Sequence, residues 1–217
     1  MTATTGAPLA ARKPGMGVEV CAGRARNRER DRQDAARAAR GDVAAFSRLV
    51  ESHSGLVHAV ALRVLGAGDA PDASQEVWVR VWRNIRSFRG DSAFTTWLYR
   101  ITTNTCLSAR RTEARRREHR YEGEVPFLAE PKGGADPEAC ALDAERREEV
   151  GAALGRVRAE HRAALVLRHM EGLSYAEIAE VLDVPDGTAK GWVSRGRDAM
   201  LVALAGGTPP SRGPPGG

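Results

Sequence analysis

Four aromatic side chains, Phe88, Phe94, Trp97 and Tyr99, lie close together in the stretch SFRGDSAFTTWLYRITTNTCLSARRTEARRR, from Ser87 to Arg117, which runs straight into a dense block of arginine. Flat aromatic faces stack on bases that have left a duplex, and guanidinium groups neutralise the phosphates beside them. Arg100, Arg110, Arg111, Arg115, Arg116, Arg117 and Arg120 supply the cations. Only Glu113 and Glu118 oppose these seven arginines between Leu98 and Arg120, so the local excess equals the formal charge of +5 of the whole 217-residue chain. The chemistry is noncovalent: opening DNA or holding it open. The same spacing has a second use, because Phe94, Trp97, Leu98 and Ile101 at i, i+3, i+4, i+7 form the buried stripe of an amphipathic helix. This stretch alone does not divide the two readings, and a second DNA signature far downstream favours the first.

That signature is GLSYAEIAEVLDVPDGTAKGWVSRGRDAM. Ser174 sits three residues before Glu177, so hydroxyl and carboxylate can cap a helix N-terminus reciprocally. The helix that follows turns Tyr175, Ile178, Ala179 and Leu182 inward, bends at Asp183, Val184 and Pro185, and leads into a second helix with Ala189, Val193, Gly196 and Met200 inward. Thr188, Lys190, Gly191, Trp192, Ser194, Arg195 and Arg197 are left on the outer surface, where a recognition helix faces the major groove. Lys190 and Arg195 can reach guanine edges or phosphates. The competing explanation is an ordinary helical hairpin with a solvated basic face. It requires the capping box, the small Ala179, the turn length and the basic outer face to coincide by chance.

Other classes of function have little support. His53, His58, His119, His161 and His169 are scattered without metal-ligand spacing, no glycine loop has the phosphate-binding form, and no nucleophile has an evident base. The chain therefore reads as a non-enzyme, with no cofactor or metal. Cys21, Cys106 and Cys140 are an odd count without a C-x-x-C pair, which argues against a disulfide framework or a zinc site and for a reducing interior. No apolar run approaches the roughly 20 residues of a membrane span, and the arginine-rich N-terminus lacks the apolar core of a signal peptide. A soluble, cytoplasmic protein is expected. A pI near 9.5 agrees with a polyanionic partner.

The elements that must position these residues are helical. Residues 1–33, rich in Gly, Ala, Pro and Arg without apolar periodicity, read as a disordered basic arm, and Met16 within it offers an alternative start. From Asp34, Phe46, Leu49, Val50, His53, Val57, Val60, Ala61 and Val64 share one face until Gly66-Ala67-Gly68 stops the helix. A second helix from about Pro71 turns Val77, Val81, Ile85 and Phe88 inward, opposite Asp72, Gln75, Glu76 and Arg80. Ser87 to Ser92 is a turn, and a third helix runs from about Ala93 through the arginines, closing a first domain at 34–117. Gly123, Pro126, Pro131, Gly133, Gly134 and Pro137 mark 118–137 as a flexible linker. A second domain spans 138–205, and GGTPPSRGPPGG makes 206–217 a disordered tail. The fold class is all-α: two small helical domains on a flexible tether.

With both constellations in hand, the chain closely resembles the extracytoplasmic-function (ECF) sigma factors of bacterial RNA polymerase, over about residues 34–204. The resemblance rests on DAPDASQEVWVRVWRNIRSFRG, then DSAFTTWLYRITTN, then LSYAEIAEVLDVPDGTAKGWVSRGR, in that order. It implies a sigma-2 helical bundle and a sigma-4 helix-turn-helix domain that bind core RNA polymerase and promoter DNA, under the control of an anti-sigma factor. By the same resemblance, Asp72, Gln75, Glu76, Trp78, Arg80 and Trp82 would dock on the polymerase clamp helices, with Trp78 and Trp82 alternatively buried against the first helix. Phe88, Arg89, Gly90, Asp91, Ser92 and Asn104 would form the pocket that captures a flipped base of the -10 element. Arg100, Arg110 and Arg111 would hold DNA backbone, while Phe94 and Trp97 would support the helix. Thr188, Lys190, Trp192, Ser194 and Arg195 would face the -35 element. The sequence departs from the family pattern at Asp183, where glycine is common and a left-handed conformation is expected, and at Gly191 and Trp192, so the -35 preference does not carry over. Asp186 reads as an anion capping the recognition helix. A stand-alone helix-turn-helix regulator, with the first helices used for dimerisation, is the runner-up, and it leaves the aromatic and arginine-rich helix without a purpose.

Overall fold

The computed structural model describes residues 16–118 and 137–206. Residues 1–15, residues 119–136 of the linker expected at 118–137, and residues 207–217 of the tail expected at 206–217 lie outside the described residues. Among the described residues all regular structure is helical, as expected: α1 (Met16–Ala38), α2 (Val43–Leu65), α3 (Ala70–Asn84), a 3-10 turn (Ile85–Ser87), α4 (Phe94–Glu118), α5 (Pro137–Arg156), α6 (Ala159–His169), α7 (Tyr175–Leu182) and α8 (Asp186–Leu204).

The first departure from the sequence reading is α1, which begins at Met16 where a disordered arm to residue 33 was expected. Its outer turns carry Arg, Glu and Gln, which are good helix formers, and Gln33 donates to Glu29 one turn earlier at 2.9 Å. Its inner face is anchored by charge more than by apolar surface. Asp34 pairs with Arg48 of α2, Asp31 lies 3.0 Å from His53 Nε2, and among its described side chains the apolar contributions to the core are the small Ala35 and Ala38. A helix held this way has no hydrophobic period to read. The second departure is a break inside the segment read as one helix from Asp34. Gly41 at φ +94° ends α1, and the Asp42 carboxylate accepts from the Ala45 N–H at 3.0 Å to start α2.

α4 is helical through the β-branched run ITTNTC, as expected, and each of its buried hydroxyls has an internal partner. Thr102, Thr103 and Thr105 are buried and donate to the carbonyls of Leu98, Tyr99 and Ile101, each at 2.8 Å.

Two cores result. Leu49 and Val57 of α2, Val77 and Val81 of α3 and Phe94 and Leu98 of α4 close around Ala35 and Ala38 of α1. The other core joins both halves of the chain: Val60, Ala61, Val64 and Leu65 of α2 and Tyr99, Cys106 and Leu107 of α4 pack with Ala163, Ala164 and Leu167 of α6, Ile178 and Val181 of α7, and Ala189 and Val193 of α8. The halves expected to be separate domains on a tether thus share buried surface in this structure. The cause lies in α2, whose apolar residues cover two faces and serve two partners.

Candidate nucleic-acid interface

The turn after α3 is built by short local bonds. Phe88 N–H donates to Ile85 O at 3.1 Å, and Gly90 takes φ +79°, a left-handed value that favours glycine. Behind the turn, Phe88 meets Phe94 edge-on at 5.6 Å and Trp97 at 5.5 Å, and Phe94 and Trp97 lie 5.8 Å apart. Phe94 is fully buried and Tyr99 nearly so. These two rings belong to the scaffold, and the stacking role considered from the sequence falls at most to Phe88 and Trp97, which are half-buried.

Ser87, Phe88, Arg89, Gly90, Asp91, Ser92 and Arg100 line one cavity of about 190 Å³. The turn residues singled out in the sequence therefore converge. Asn104 is exposed one helical turn beyond Arg100 on the same face of α4 and does not line the cavity. Arg110 and Arg111 stand further along; Arg110 is half-buried, and exposed Arg111 is 3.8 Å from Glu160 of α6. The rest of the lining was not legible. Glu180 and Val181 of α7 form part of the wall, Arg100 lies 3.7 Å from Asp183, and Arg32 of α1 places Nε 3.4 Å from where a Gly90 Cβ would stand. Arg32 was missed because it fell in the stretch read as an arm, and Glu180 because it comes from the other half of the chain.

On α3, Asp72, Gln75 and Glu76 are exposed, and Arg80 Nε donates to Glu76 Oε1 at 2.7 Å. Phe46 of α2 touches both tryptophans, Trp78 at 6.1 Å and Trp82 at 4.8 Å. Trp78 is half-buried, whereas Trp82 is 40% exposed beside Val79, leaving an apolar strip among the charges.

The helix-turn-helix has the local chemistry read from the sequence. Ser174 and Glu177 form the full capping box: the Glu177 N–H donates to Ser174 Oγ at 3.2 Å, and the Ser174 N–H donates to Glu177 Oε2 at 2.8 Å. These bonds hold the Glu177 carboxyl below the usual range, the Ser174 backbone bond most of all. Asp183 ends α7 at φ 55° and ψ 52°, the left-handed conformation expected of it. Asp186 differs from expectation, because Pro185 occupies the cap position and Asp186 lies in the first turn of α8. Lys190, Ser194, Arg195 and Arg197 are exposed, Thr188 is half-buried, and Lys190 Nζ lies 5.9 Å from the Tyr175 ring centre. Trp192 also departs from expectation: it packs half-buried against the joint core and faces His161 at 6.3 Å.

The two halves meet through polar contacts around that core. Tyr99 donates to Glu171 at 2.7 Å, and Arg63 reaches the same carboxylate at 3.3 Å. Arg162, 1% exposed, donates from Nη1 to Val64 O at 2.8 Å and from Nη2 to Gly155 O and Val157 O at 2.5 and 2.9 Å. Burial pulls its pKa down, to about 9. Among the described residues no cluster of His, Cys, Asp and Glu could hold a metal ion, and no helix is long and apolar enough to cross a membrane.

Comparison with known proteins fits this layout. Sigma-70 region 2 matches residues 49–116, which span α2 to α4 and the cavity turn, and Sigma-70, region 4 matches residues 147–200, which span α5 to α8. The chain is 36% identical over 169 residues to the ECF RNA polymerase sigma-E factor of Escherichia coli K12, covering 76% of this chain and 88% of that protein. It is 34% identical over 174 residues to the Haemophilus influenzae sigma-E factor, covering 76% of this chain and 89% of that one. Among solved structures, CnrH in complex with the cytosolic domain of CnrY is similar at TM-score 0.58 and 28% identity, covering 82% of this chain and 98% of CnrH. The sigma factor RpoE of Bartonella quintana, solved with the anti-sigma factor NepR, shares the fold at TM-score 0.60 and 24% identity, covering 74% of this chain and 96% of that one. With a relative at this identity matched over almost its whole length, and both regions present in order, the chain belongs to the ECF sigma factors of RNA polymerase.

Proposed function

We propose that this chain gives core RNA polymerase its promoter choice and nucleates strand opening, reading the -10 element with the Ser87–Ser92 turn and α4 and the -35 element with α8. The observation that carries the assignment of residues is the convergence of Phe88, Arg89, Gly90, Asp91, Ser92 and Arg100 on one cavity. Its π face, backbone amides and guanidinium groups suit an extruded base and its phosphate. Asn104 extends the Arg100 face along the single strand, and Arg110 and Arg111 supply further cations along α4. Lys190, Ser194 and Arg195 offer donors at the spacing of a recognition helix, and Trp192 and Thr188 shape its flank. Asp72, Gln75, Glu76, Arg80 and the Trp78–Trp82 strip form the docking face for the polymerase. The chain performs no bond chemistry of its own and works in the cytoplasm.

CnrH and RpoE were solved bound to the CnrY cytosolic domain and to an anti-sigma factor, and an anti-sigma factor is the fitting regulator here. The test is transcription in vitro by sigma-free core polymerase on a genomic fragment library, comparing the wild type with Asn104→Ala. Discrete start sites with shared upstream elements, weakened in the variant, support the reading. Absence of initiation, with specific duplex binding by the chain alone, moves the assignment to a stand-alone regulator.

A further inference from the structure

Arg195 on α8 is turned toward α6. Its Nε donates to His161 Nε2 of α6 at 3.4 Å, and its Nη1, Nη2 and Cζ lie 3.2, 3.2 and 3.4 Å from where a Gly191 Cβ would stand. The guanidinium is folded one turn back along α8, laid over the bare backbone of Gly191 and tied at one edge to the imidazole. His161 is itself fixed by a close approach of helices, because a Cβ on Gly196 would stand 2.8 Å from the His161 carbonyl oxygen. Glycine at 196 is what lets α6 come near enough to α8 for the contact to form. The Trp192 ring lies 6.3 Å from the His161 ring, tilted by 50°.

An accepting Nε2 must carry a lone pair, which puts the ring proton on Nδ1. Burial, and then the charges of Arg195 and Arg158, hold the His161 pKa below its ordinary value against the opposing Glu160, so the ring is neutral and able to accept. With Nε committed, the two terminal nitrogens of Arg195 remain as a coplanar donor pair, the geometry that matches O6 and N7 of guanine. A side chain oriented before binding loses less freedom on binding.

We propose that His161 is a positioning residue for sequence choice: it sets the direction in which Arg195 presents its terminal nitrogens to a guanine of the -35 element, in space left by Gly191 and Gly196. The proposal rests on α8 being the -35 helix. It is tested with the full chain and core polymerase on promoters with a fixed -10 element and a randomised -35 element, for wild type, Arg195→Ala, His161→Ala, His161→Gln, Gly191→Ala and the double variant His161→Ala with Arg195→Ala. Loss of Arg195 is expected to flatten a guanine preference roughly tenfold at one position. His161→Ala flattens the same position, His161→Gln retains most of the preference through its amide oxygen, and the double variant is no worse than Arg195→Ala. Gly191→Ala displaces the guanidinium without touching the ring and flattens that position too, which keeps the test decisive if His161→Ala unfolds. An Arg195 effect that His161→Ala and Gly191→Ala both leave intact, or that adds fully to theirs, overturns the proposal. If Arg195→Ala alters no -35 position, the assignment of α8 fails instead.

Discussion

Tyr99 on α4 and Glu171 between α6 and α7 are 72 positions apart in the chain and joined by a 2.7 Å hydrogen bond. The phenol is nearly buried, and burial followed by the neighbouring carboxylate pushes its pKa well above the usual value, so it is a fixed donor across the working pH range. Tyr99→Phe or Glu171→Gln is expected to weaken docking of the halves by about 1–2 kcal/mol. Energy transfer between dyes on α3 and α8 should then report a wider distribution, and an unchanged one would show that the apolar core alone sets the docking.

Arg162 bonds three backbone carbonyls with no carboxylate among these partners. Arg162→Met fills much of the space but strands those acceptors in the interior. A stability loss of roughly 2–4 kcal/mol is expected by urea denaturation, and a loss below about 0.5 kcal/mol would mean that water replaces the guanidinium.

The capping box makes the helix-turn-helix acid-sensitive. Glu177 has its folded pKa below the ordinary 4.5, so its contribution is complete above that value and is lost as pH falls through the folded one. Glu177→Gln should lower the melting temperature at pH 7, by an amount corresponding to about 1 kcal/mol, and should flatten the pH dependence below 4.5. Parallel curves for the two proteins would remove Glu177 from this role.

Two glycines of α8 should respond with opposite signs to alanine. At Gly196 the new Cβ meets a backbone oxygen at 2.8 Å, which costs about 1–3 kcal/mol. At Gly187 it meets nothing within 4 Å, and the stiffer unfolded chain gives a gain of about 0.4–1 kcal/mol. Thermal melts of both variants check the contrast.

What the sequence made legible follows from which forces are local. The Ser174–Glu177 cap, the left-handed Asp183 and the turn at Gly90 are decided within four residues of chain, and each is in the structure as read. α1 escaped because Asp31, Asp34 and Arg48 anchor it, and ion pairs leave no periodicity. The joint core escaped because the apolar residues of α2 do not say how many partners they serve. Arg32 and Glu180 beside the cavity escaped for the same reason: their places are set by packing between distant segments. His161 beside Arg195 depends on the bare backbone at Gly196, and a glycine in a helix does not announce what approaches it.

Glu180 and Val181 complete the cavity formed by the Ser87–Ser92 turn, and Asp183 lies beside Arg100. Under the proposed -10 role of this cavity, carboxylates stand where the strand would bring phosphates, and strand and α7 compete for that position. On that reading, the apparent affinity of the unassembled chain for an opened strand would scale with the fraction of molecules whose halves have parted. If one molecule in a hundred is parted, binding is about a hundredfold weaker than the site itself allows. A scaffold that grips the two halves at a fixed separation restores that factor without making one new contact to DNA.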